Sequence, residues 1–74
     1  MEVRAIGSNQ TEVETSDGTR VLVSYSTPIA AYIVGRGYVR TSEYYSKTTT
    51  AHINKWLDGA KCEIVSPAEI KGLV

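Results

Sequence analysis

The sequence predicts an α+β fold, in which an antiparallel β-meander of four to six short strands supports one amphipathic helix and a short C-terminal helical turn. Two observations carry this prediction. Apolar and polar residues alternate with a period of two through the first half of the chain, and the period changes to 3.6 from Thr49 onward. Because no linker, repeat or low-complexity run divides the 74 residues, we predict a single domain over residues 1–74.

Turn residues divide the alternating half into strands. The predicted strands are residues 2–6, 11–15, 20–25, 28–34 and 38–41. The second carries acidic residues and little apolar surface, which favours an edge position with its carboxylates in water. On the third, Val21, Val23 and Tyr25 share a face. The fourth is apolar on both faces, as is typical of a central strand that is covered on both sides.

An amphipathic helix is predicted over about residues 48–58, where apolar residues fall within one arc of a helical wheel. These residues are Thr49, Ile53, Trp56, Leu57 and Ala60. Ser46 and Thr48 are both candidate N-caps, and Gly59 is placed for the left-handed residue that ends many helices.

The remaining residues predict a last strand and a final helical turn. The strand is expected at Cys62–Val65. Ser66 is a candidate N-cap, Pro67 suits the first helical position, and Glu69 is spaced to reach back to Ser66 in a capping box. Only a few residues follow, so this helix is expected to be little more than one turn.

Few residues are available for catalysis, metal binding or phosphate binding. The only histidine is His52 and the only cysteine is Cys62. They could form an activated thiolate, but a buried small cysteine and a half-solvated helix histidine are simpler interpretations. No Cys-x-x-Cys, His-x-x-x-His or Asp-rich loop occurs. Residues 35–37, Gly-Arg-Gly, lack the rest of a phosphate-binding loop and predict a hairpin connection. We therefore predict no enzymatic activity, catalytic residue, cofactor or metal.

The zero net charge conceals a segregation of charge along the chain. Residues 1–17 hold one cation and four anions, whereas residues 36–56 hold four cations and one anion. In the second segment cations alternate with aromatic residues, a composition typical of surfaces that contact nucleic acid. The predicted interaction surface is Arg36, Tyr38, Arg40, Tyr44, Tyr45, Lys47 and Lys55. The acidic segment is expected either to lie on the opposite face or to pair with the basic one.

Two stretches carry a resemblance to a known family. Residues 24–30 read SYSTPIA, and residues 45–57 read YSKTTTAHINKWL. This pattern resembles a family of small uncharacterised bacteriophage and prophage proteins, and the resemblance covers about residues 20–58. It implies a phage or mobile-element source but no established activity. We interpret the motif as a folding signature, in which the helix docks on the sheet face that carries Tyr25.

These features favour a non-enzymatic interaction protein that binds a host or phage protein. Inhibition of a host defence system, as an anti-CRISPR protein would do, and homodimer formation belong to this hypothesis. The alternative is a small nucleic-acid-binding module that uses residues 36–56. No apolar run is long enough to span a bilayer and the lone Cys62 suits a reducing compartment, so we expect the cytoplasm, that of the host cell if the protein is phage-encoded.

Overall fold

The computed structural model describes residues 1–74, and its strands form one six-stranded sheet in the order β1-β2-β3-β4-β5-β6. The strands are β1 (Glu2–Gly7), β2 (Gln10–Glu14), β3 (Arg20–Ser24), β4 (Thr27–Ile33), β5 (Gly37–Thr41) and β6 (Cys62–Val65). The helices are α1 (Lys47–Leu57) and α2 (Pro67–Lys71). The predicted α+β class is confirmed, with a strand number at the top of the predicted range.

The sheet is antiparallel except at its last pair. Strands β1 to β5 form a meander, as predicted, but β6 pairs with β5 in parallel, with Tyr38 opposite Cys62 and Thr41 opposite Val65. The reason is the connection between them. Helix α1 carries the chain back to the end of the sheet where β5 begins, so β6 runs in the same direction as β5.

Two apolar clusters lie on opposite faces of this sheet. On the face covered by α1, which we call the α1 face, the cluster is Leu22, Ile29, Ala30, Ile53 and Leu57. On the other face, the α2 face, the cluster is Val21, Ala31, Val39, Val65 and Ile70. Both clusters include residues of β3 and β4, and the prediction that β4 is central and covered on both sides is therefore correct.

Helix α1 docks on the sheet face opposite to the one expected from Val21 and Val23, although the Tyr25 ring does lie beside α1, with its centre 6.2 Å from that of His52. Helix α1 packs over Leu22, whereas Val21 and Val23 face α2. A bulge in the pairing of β3 with β4 explains the choice, because Ile29 is the extra residue between the pairs Leu22–Ala30 and Val23–Pro28. Ile29 and Ala30 therefore lie on the same face and add apolar surface for α1.

Both helices have the caps that their sequences suggest, with two differences. Of the two candidate N-caps, Ser46 is the one used, and its side chain accepts a hydrogen bond from the backbone N–H of Thr49. At the C-terminus Asp58 is the first left-handed residue, with φ 49°, and Gly59 follows with φ 81°. Neither helix has the length and the apolar character needed to cross a membrane.

The cap of α2 is only half of the predicted capping box. Ser66 Oγ accepts a hydrogen bond of 3.3 Å from the backbone N–H of Glu69, and Pro67 begins the helix. The Glu69 carboxylate, however, forms an ion pair with Arg36 at 2.8 Å. A guanidinium is a stronger partner for a carboxylate than a neutral backbone N–H, which accounts for the difference.

Candidate interaction surface

The predicted interaction residues do not form one continuous surface. Tyr38 and Arg40 lie on the α1 face, two residues apart on β5, and both are half-buried. Arg36, in the turn before β5, instead reaches the edge of the α2 face. Its Nε and Nη2 donate to the two carboxylate oxygens of Glu63 at 3.1 and 2.9 Å, and Nη1 pairs with Glu69. These contacts lower the pKa of Glu63 and engage Arg36 within the domain.

The other four predicted residues lie on the connection to α1 and on its outer side. Tyr44, Tyr45, Lys47 and Lys55 are all exposed, and 68% of Tyr44 is accessible. Neither lysine takes part in an ion pair, and neither does Arg40. These cations and tyrosines are therefore free to contact another molecule.

Residues of the two stretches at 24–30 and 45–57 meet where α1 crosses the end of β3. His52 Nδ1 and Ser24 Oγ are 2.8 Å apart, and Ser24 Oγ is 3.2 Å from Thr49 Oγ1. Ser46 Oγ, the helix cap, donates to Thr49 as well at 3.2 Å. Because Ser24 is 2% exposed, this network joins the start of α1 to the sheet rather than presenting a hydroxyl to a substrate.

A row of aromatic and charged side chains crosses the α1 face beside the helix. The guanidinium of Arg20 lies 5.0 Å from the centre of the Tyr32 ring. The Tyr32 and Tyr38 rings are 4.9 Å apart, and Tyr38 meets Trp56 edge-on at 5.6 Å. Trp56 Nε1 then donates a hydrogen bond of 3.0 Å to Glu12. The strand residues of this row lie on four strands, β2 to β5, and Trp56 of α1 joins Tyr38 of β5 to Glu12 of β2.

Glu12 is buried, which corrects the prediction that β2 is an edge strand with its carboxylates in water. Strand β1 is the edge, and β2 lies between β1 and β3. Arg4 Nη2 contacts Glu12 at 2.5 Å, and Trp56 satisfies the other oxygen. Burial acts to raise the pKa of the Glu12 carboxyl, but hydrogen bonds from Arg4 and Trp56 and the charges of Arg4 and Arg20 outweigh it and hold that pKa below its usual range.

Arg4 is the centre of a cluster of carboxylates at the open end of the α1 face. Its guanidinium also pairs with Glu2 at 3.1 Å and with Glu14 at 3.2 Å. We call Arg4, Glu2, Glu12 and Glu14 the Arg4 cluster. No ion pair therefore joins the acidic segment to the basic one: Arg4 serves three carboxylates from within the acidic segment, and Arg20, opposite Glu14 on β3, adds its charge nearby.

On the α2 face the same end of the sheet is apolar and uncovered. Val3 pairs with Val13, which pairs with Val21, so one row of valines runs from the edge into the core. Val21 is fully buried, Val13 is half-buried and Val3 is 67% exposed. Ala5 is also exposed, and Val23 is half-buried. We call Val3, Ala5, Val13 and Val23 the open sheet face.

Strand β1 adds an unpaired backbone to these two surfaces. All six of its residues are exposed, and no strand pairs with its outer edge. The predicted interaction surface did not include this edge, although Val3 and Ala5 alternate with Glu2 and Arg4 in the sequence. In a meander the first strand is an edge strand, and that order was the signal that placed β1, not β2, at the edge.

These features define the class of protein: a small α+β domain whose first strand is open along its edge and on both faces. A family model matches residues 1–72, and the chain belongs to this family, which is described as a family of unknown function (DUF8033). The match includes the N-terminal strands, which lie outside the motif at residues 20–58. No curated protein and no solved structure matches the chain. Within residues 1–74 there is no detectable pocket, and no group of His, Cys, Asp or Glu side chains is arranged to hold a metal ion.

Proposed function

We propose that the protein is an interaction module that binds another protein through the open sheet face and the edge of β1. The observation that carries the proposal is that all six residues of the edge strand β1 are exposed, and that its pairing with β2 is regular from Glu2 to Ala5, before a bulge that precedes Gly7. Edge strands are usually shortened, bulged or covered, because their free N–H and C=O groups pair readily with another chain. A partner that covers Val3 and Ala5 would extend the apolar row that Val13 and Val21 begin.

The resemblance to phage and prophage proteins supplies the biological setting of the proposal. In that setting the partner is a host or phage protein in the host cytoplasm. A small domain that occupies a strand edge or an apolar surface of a host defence protein would inhibit it by excluding its normal partner. This mechanism requires binding alone and needs no catalytic residue.

A paired substitution tests the binding surface. Val3→Asp introduces a charge into the open sheet face, and Thr48→Asp makes the same charge change on the exposed side of α1. A photo-crosslinking residue, placed at Val3 in one protein and at Thr48 in a control protein, identifies a partner in host lysate, and the partner is then purified for affinity measurement. We expect Val3→Asp to weaken binding at least tenfold, because a carboxylate at an apolar interface loses its water, whereas Thr48→Asp leaves binding unchanged.

Circular dichroism and thermal unfolding of both variants show that any loss of binding is not a loss of folding. Val3 is largely exposed, so its replacement leaves the domain folded. Equal affinities of the two variants for the purified partner would contradict the proposal, as would crosslinks that form only from α1.

Nucleic-acid binding is the second candidate, and one observation favours it. Arg40, Lys47 and Lys55 have no carboxylate partner, and the exposed Tyr44 and Tyr45 precede Lys47 in the chain. If these residues contact phosphates and bases, affinity for single-stranded or duplex DNA falls steeply with salt, and Arg40→Ala weakens it. Absence of binding by fluorescence anisotropy at about 50 mM salt, where phosphate contacts are strong, would exclude this candidate.

A further inference from the structure

The outer edge of β1 presents a short regular stretch of mixed chemistry to an added strand. Glu2, Val3, Arg4 and Ala5 pair with β2 in register, and a bulge follows before Gly7. Glu2 and Arg4 lie on the α1 face, and Val3 and Ala5 lie on the α2 face. A strand that pairs with this edge therefore meets one anion, one cation and two apolar side chains.

We propose that a second copy of this chain pairs with this edge, antiparallel and in register about Val3. The two β1 strands are then related by a two-fold axis perpendicular to the sheet, and Val3 lies directly opposite Val3 of the second copy. This pairing joins two six-stranded sheets edge to edge. The inference rests on the proposed function, because it uses the same edge and names the protein that pairs with it.

Charge selects this register among those that such an axis allows. In the register about Val3, Glu2 of each copy lies opposite Arg4 of the other, which gives two pairs of unlike charge. In the registers about Glu2 or Arg4, two glutamates or two arginines would lie opposite each other and repel. In the register about Ala5, Val3 would lie opposite Gly7, beyond the bulge. Only the register about Val3 brings unlike charges together within the regular part of the edge.

The side chains of both charged residues are accessible for this contact. That of Glu2 is 71% exposed and that of Arg4 is 45% exposed. Arg4 contacts its three carboxylates through Nη1 and Nη2, so its Nε remains free to donate. Within one copy Glu2 lies opposite Glu14, which has the same charge, and a second copy places a guanidinium on the other side of Glu2.

The same register continues the row of valines across the junction. Within one copy Val3 pairs with Val13 and Val13 pairs with Val21, while the exposure falls from 67% at Val3 to zero at Val21. Pairing about Val3 places the most exposed members of two such rows side by side and removes apolar surface from water. A continuous row of valines, three from each copy, then crosses the joined sheets.

The pairing also completes the surface that the proposed function assigns to another protein. The open sheet faces of the two copies lie on the same side of the joined sheet, because the two-fold axis is perpendicular to it. Together they form one apolar surface, with the two β1 strands at its middle and not at its border. The second copy closes the edge, and the joined face remains open to a further protein.

Sedimentation velocity of the intact chain tests self-pairing. The interface is one strand wide, which is small for a specific contact, so we expect a reversible dimer that forms between about 10 μM and about 1 mM. Val3→Asp and Val3→Lys each place like charges opposite one another at the axis and should weaken the dimer at least about tenfold. Thr48→Asp, on the exposed side of α1, should leave the dimer unchanged.

An equal mixture of the two Val3 variants tests the register. The introduced carboxylate of one chain then faces the introduced ammonium of the other, so the mixture should dimerise about tenfold more tightly than either variant alone. Circular dichroism and thermal unfolding of each variant verify that it is folded, as expected for a residue that is 67% exposed. A dimer that Val3→Asp leaves intact, or a mixture that stays monomeric, would overturn pairing about Val3.

A substitution on the α1 face tests the charged pairs separately. Glu2→Lys places a lysine opposite Arg4 of the other copy at both ends of the interface, and it should weaken the dimer several-fold. Glu43→Lys makes the same charge change at an exposed residue that has no ion pair, and it should have no effect. Equal dimerisation of these two variants would show that charge does not select the register.

The outcomes separate this inference from the proposed function. A wild-type chain that stays monomeric at about 1 mM would overturn self-pairing, whereas crosslinks from Val3 to a host protein would still support the proposed function. A dimer that dissociates on Val3→Asp and is restored in the mixture would support self-pairing. If no host protein is crosslinked from Val3 in that case, the proposed function fails and self-pairing stands.

Discussion

The two ends of the sheet are built from similar strands but are held in different ways. Every buried apolar residue lies in β3 to β6 or in the helices, where α1 and α2 cover opposite faces. In the N-terminal hairpin β1 has no buried residue, and β2 has only Glu12. The hairpin is therefore held by backbone pairing, by polar contacts and by the packing of Val13 against the apolar cluster of the α2 face, whereas the rest is held by apolar burial.

This difference shows how a 74-residue chain can keep a binding surface without losing its fold. A domain of this size buries a small apolar area, so each valine that stays exposed contributes little to the free energy of folding. In this protein most of the exposed apolar residues of the sheet lie in the hairpin of β1 and β2, and the two buried apolar clusters lie between the sheet and the helices. Substitutions at matched positions in the two ends should reveal the contrast directly.

The largest expected effect is on the row of Val3, Val13 and Val21, which runs from the edge strand β1 to the buried strand β3. Val21→Ala should lower the free energy of unfolding by about 2–3 kcal/mol, because it leaves a cavity between the sheet and α2. Val13→Ala should cost about 1 kcal/mol, and Val3→Ala less than about 0.5 kcal/mol, because their exposure increases toward the edge. Urea unfolding of the three variants measures this gradient. Equal losses at Val3 and Val21 would mean that something covers the hairpin in solution.

A smaller effect tests the contact that ties the hairpin to α1. Glu12→Gln should cost about 1–2 kcal/mol at pH 7, since the charged contact with Arg4 is lost. The pKa of Glu12 is lower in the folded protein than its unfolded value of about 4.3. Its ionised form therefore adds stability above that pH, and this contribution is lost as the pH falls through the folded pKa.

The pH dependence of unfolding checks the sign of this linkage. Between pH 7 and pH 3 the wild type should lose more stability than Glu12→Gln does, so the two curves converge in acid. Glu43→Gln, at an exposed carboxyl without an ion pair, should follow the wild-type curve. Parallel curves for wild type and Glu12→Gln would show that the carboxylate is not stabilised by folding.

The part of the sheet under α1 has a polar contact of its own, the hydrogen-bond network of Ser24, Thr49 and His52. Removing it should lower the free energy of unfolding by about 1 kcal/mol. Ser24→Ala deletes the hydroxyl that lies between His52 Nδ1 and Thr49 Oγ1, and it leaves both without this partner. Ser26→Ala, in the exposed turn two residues later, is the matched control and should change stability little. Thermal unfolding compares the two. If Ser26→Ala is as costly as Ser24→Ala, the turn and not the buried network fastens α1.

The smallest expected effect is a gain in stability at Tyr25, in the turn between β3 and β4. This residue has φ 58°, a left-handed conformation that is unfavourable for a bulky side chain, and it is 56% exposed. Asparagine tolerates this conformation better, so Tyr25→Asn should raise the free energy of unfolding by about 0.5 kcal/mol. Tyr44→Asn is the comparison at an exposed tyrosine for which no left-handed backbone is present, and it should be neutral. A loss on Tyr25→Asn would indicate that the ring, 6.2 Å from His52, stabilises the turn.

Much of the fold is readable from the chain because its local signals agree with one another. The alternation and the turn residues predict five strands within a residue or two, and Ser46, Ser66 and Pro67 mark where the helices begin. What the period cannot supply is the side of the sheet on which a helix packs. That choice depends on the bulge at Ile29, which is created by the pairing of two strands and has no local sequence signal.

The surface was harder to predict because charge along the chain does not reveal charge in space. Arg36 belongs to the basic segment, yet it is engaged by Glu63 and Glu69, which come much later in the sequence. Glu12 belongs to a strand that looks solvated, yet an indole from α1 covers it. Composition gives the number of charges, and long-range contacts determine which of them remain available.

The parallel pairing of β5 with β6 has a consequence for how the chain reaches its native state. Each hairpin from β1 to β5 forms between neighbours in sequence, so its entropic cost of loop closure is small. The contact between Tyr38 and Cys62, by contrast, requires the whole of α1 to be enclosed first. We expect the meander to form early and β6 with α2 to join late, so that substitutions at Val65 or Ile70 accelerate unfolding and hardly slow folding. Until that last step the α2 face of the central strands is uncovered. The partly folded chain therefore exposes an apolar α2 face along the whole meander, whereas the native protein exposes one only at the hairpin of β1 and β2.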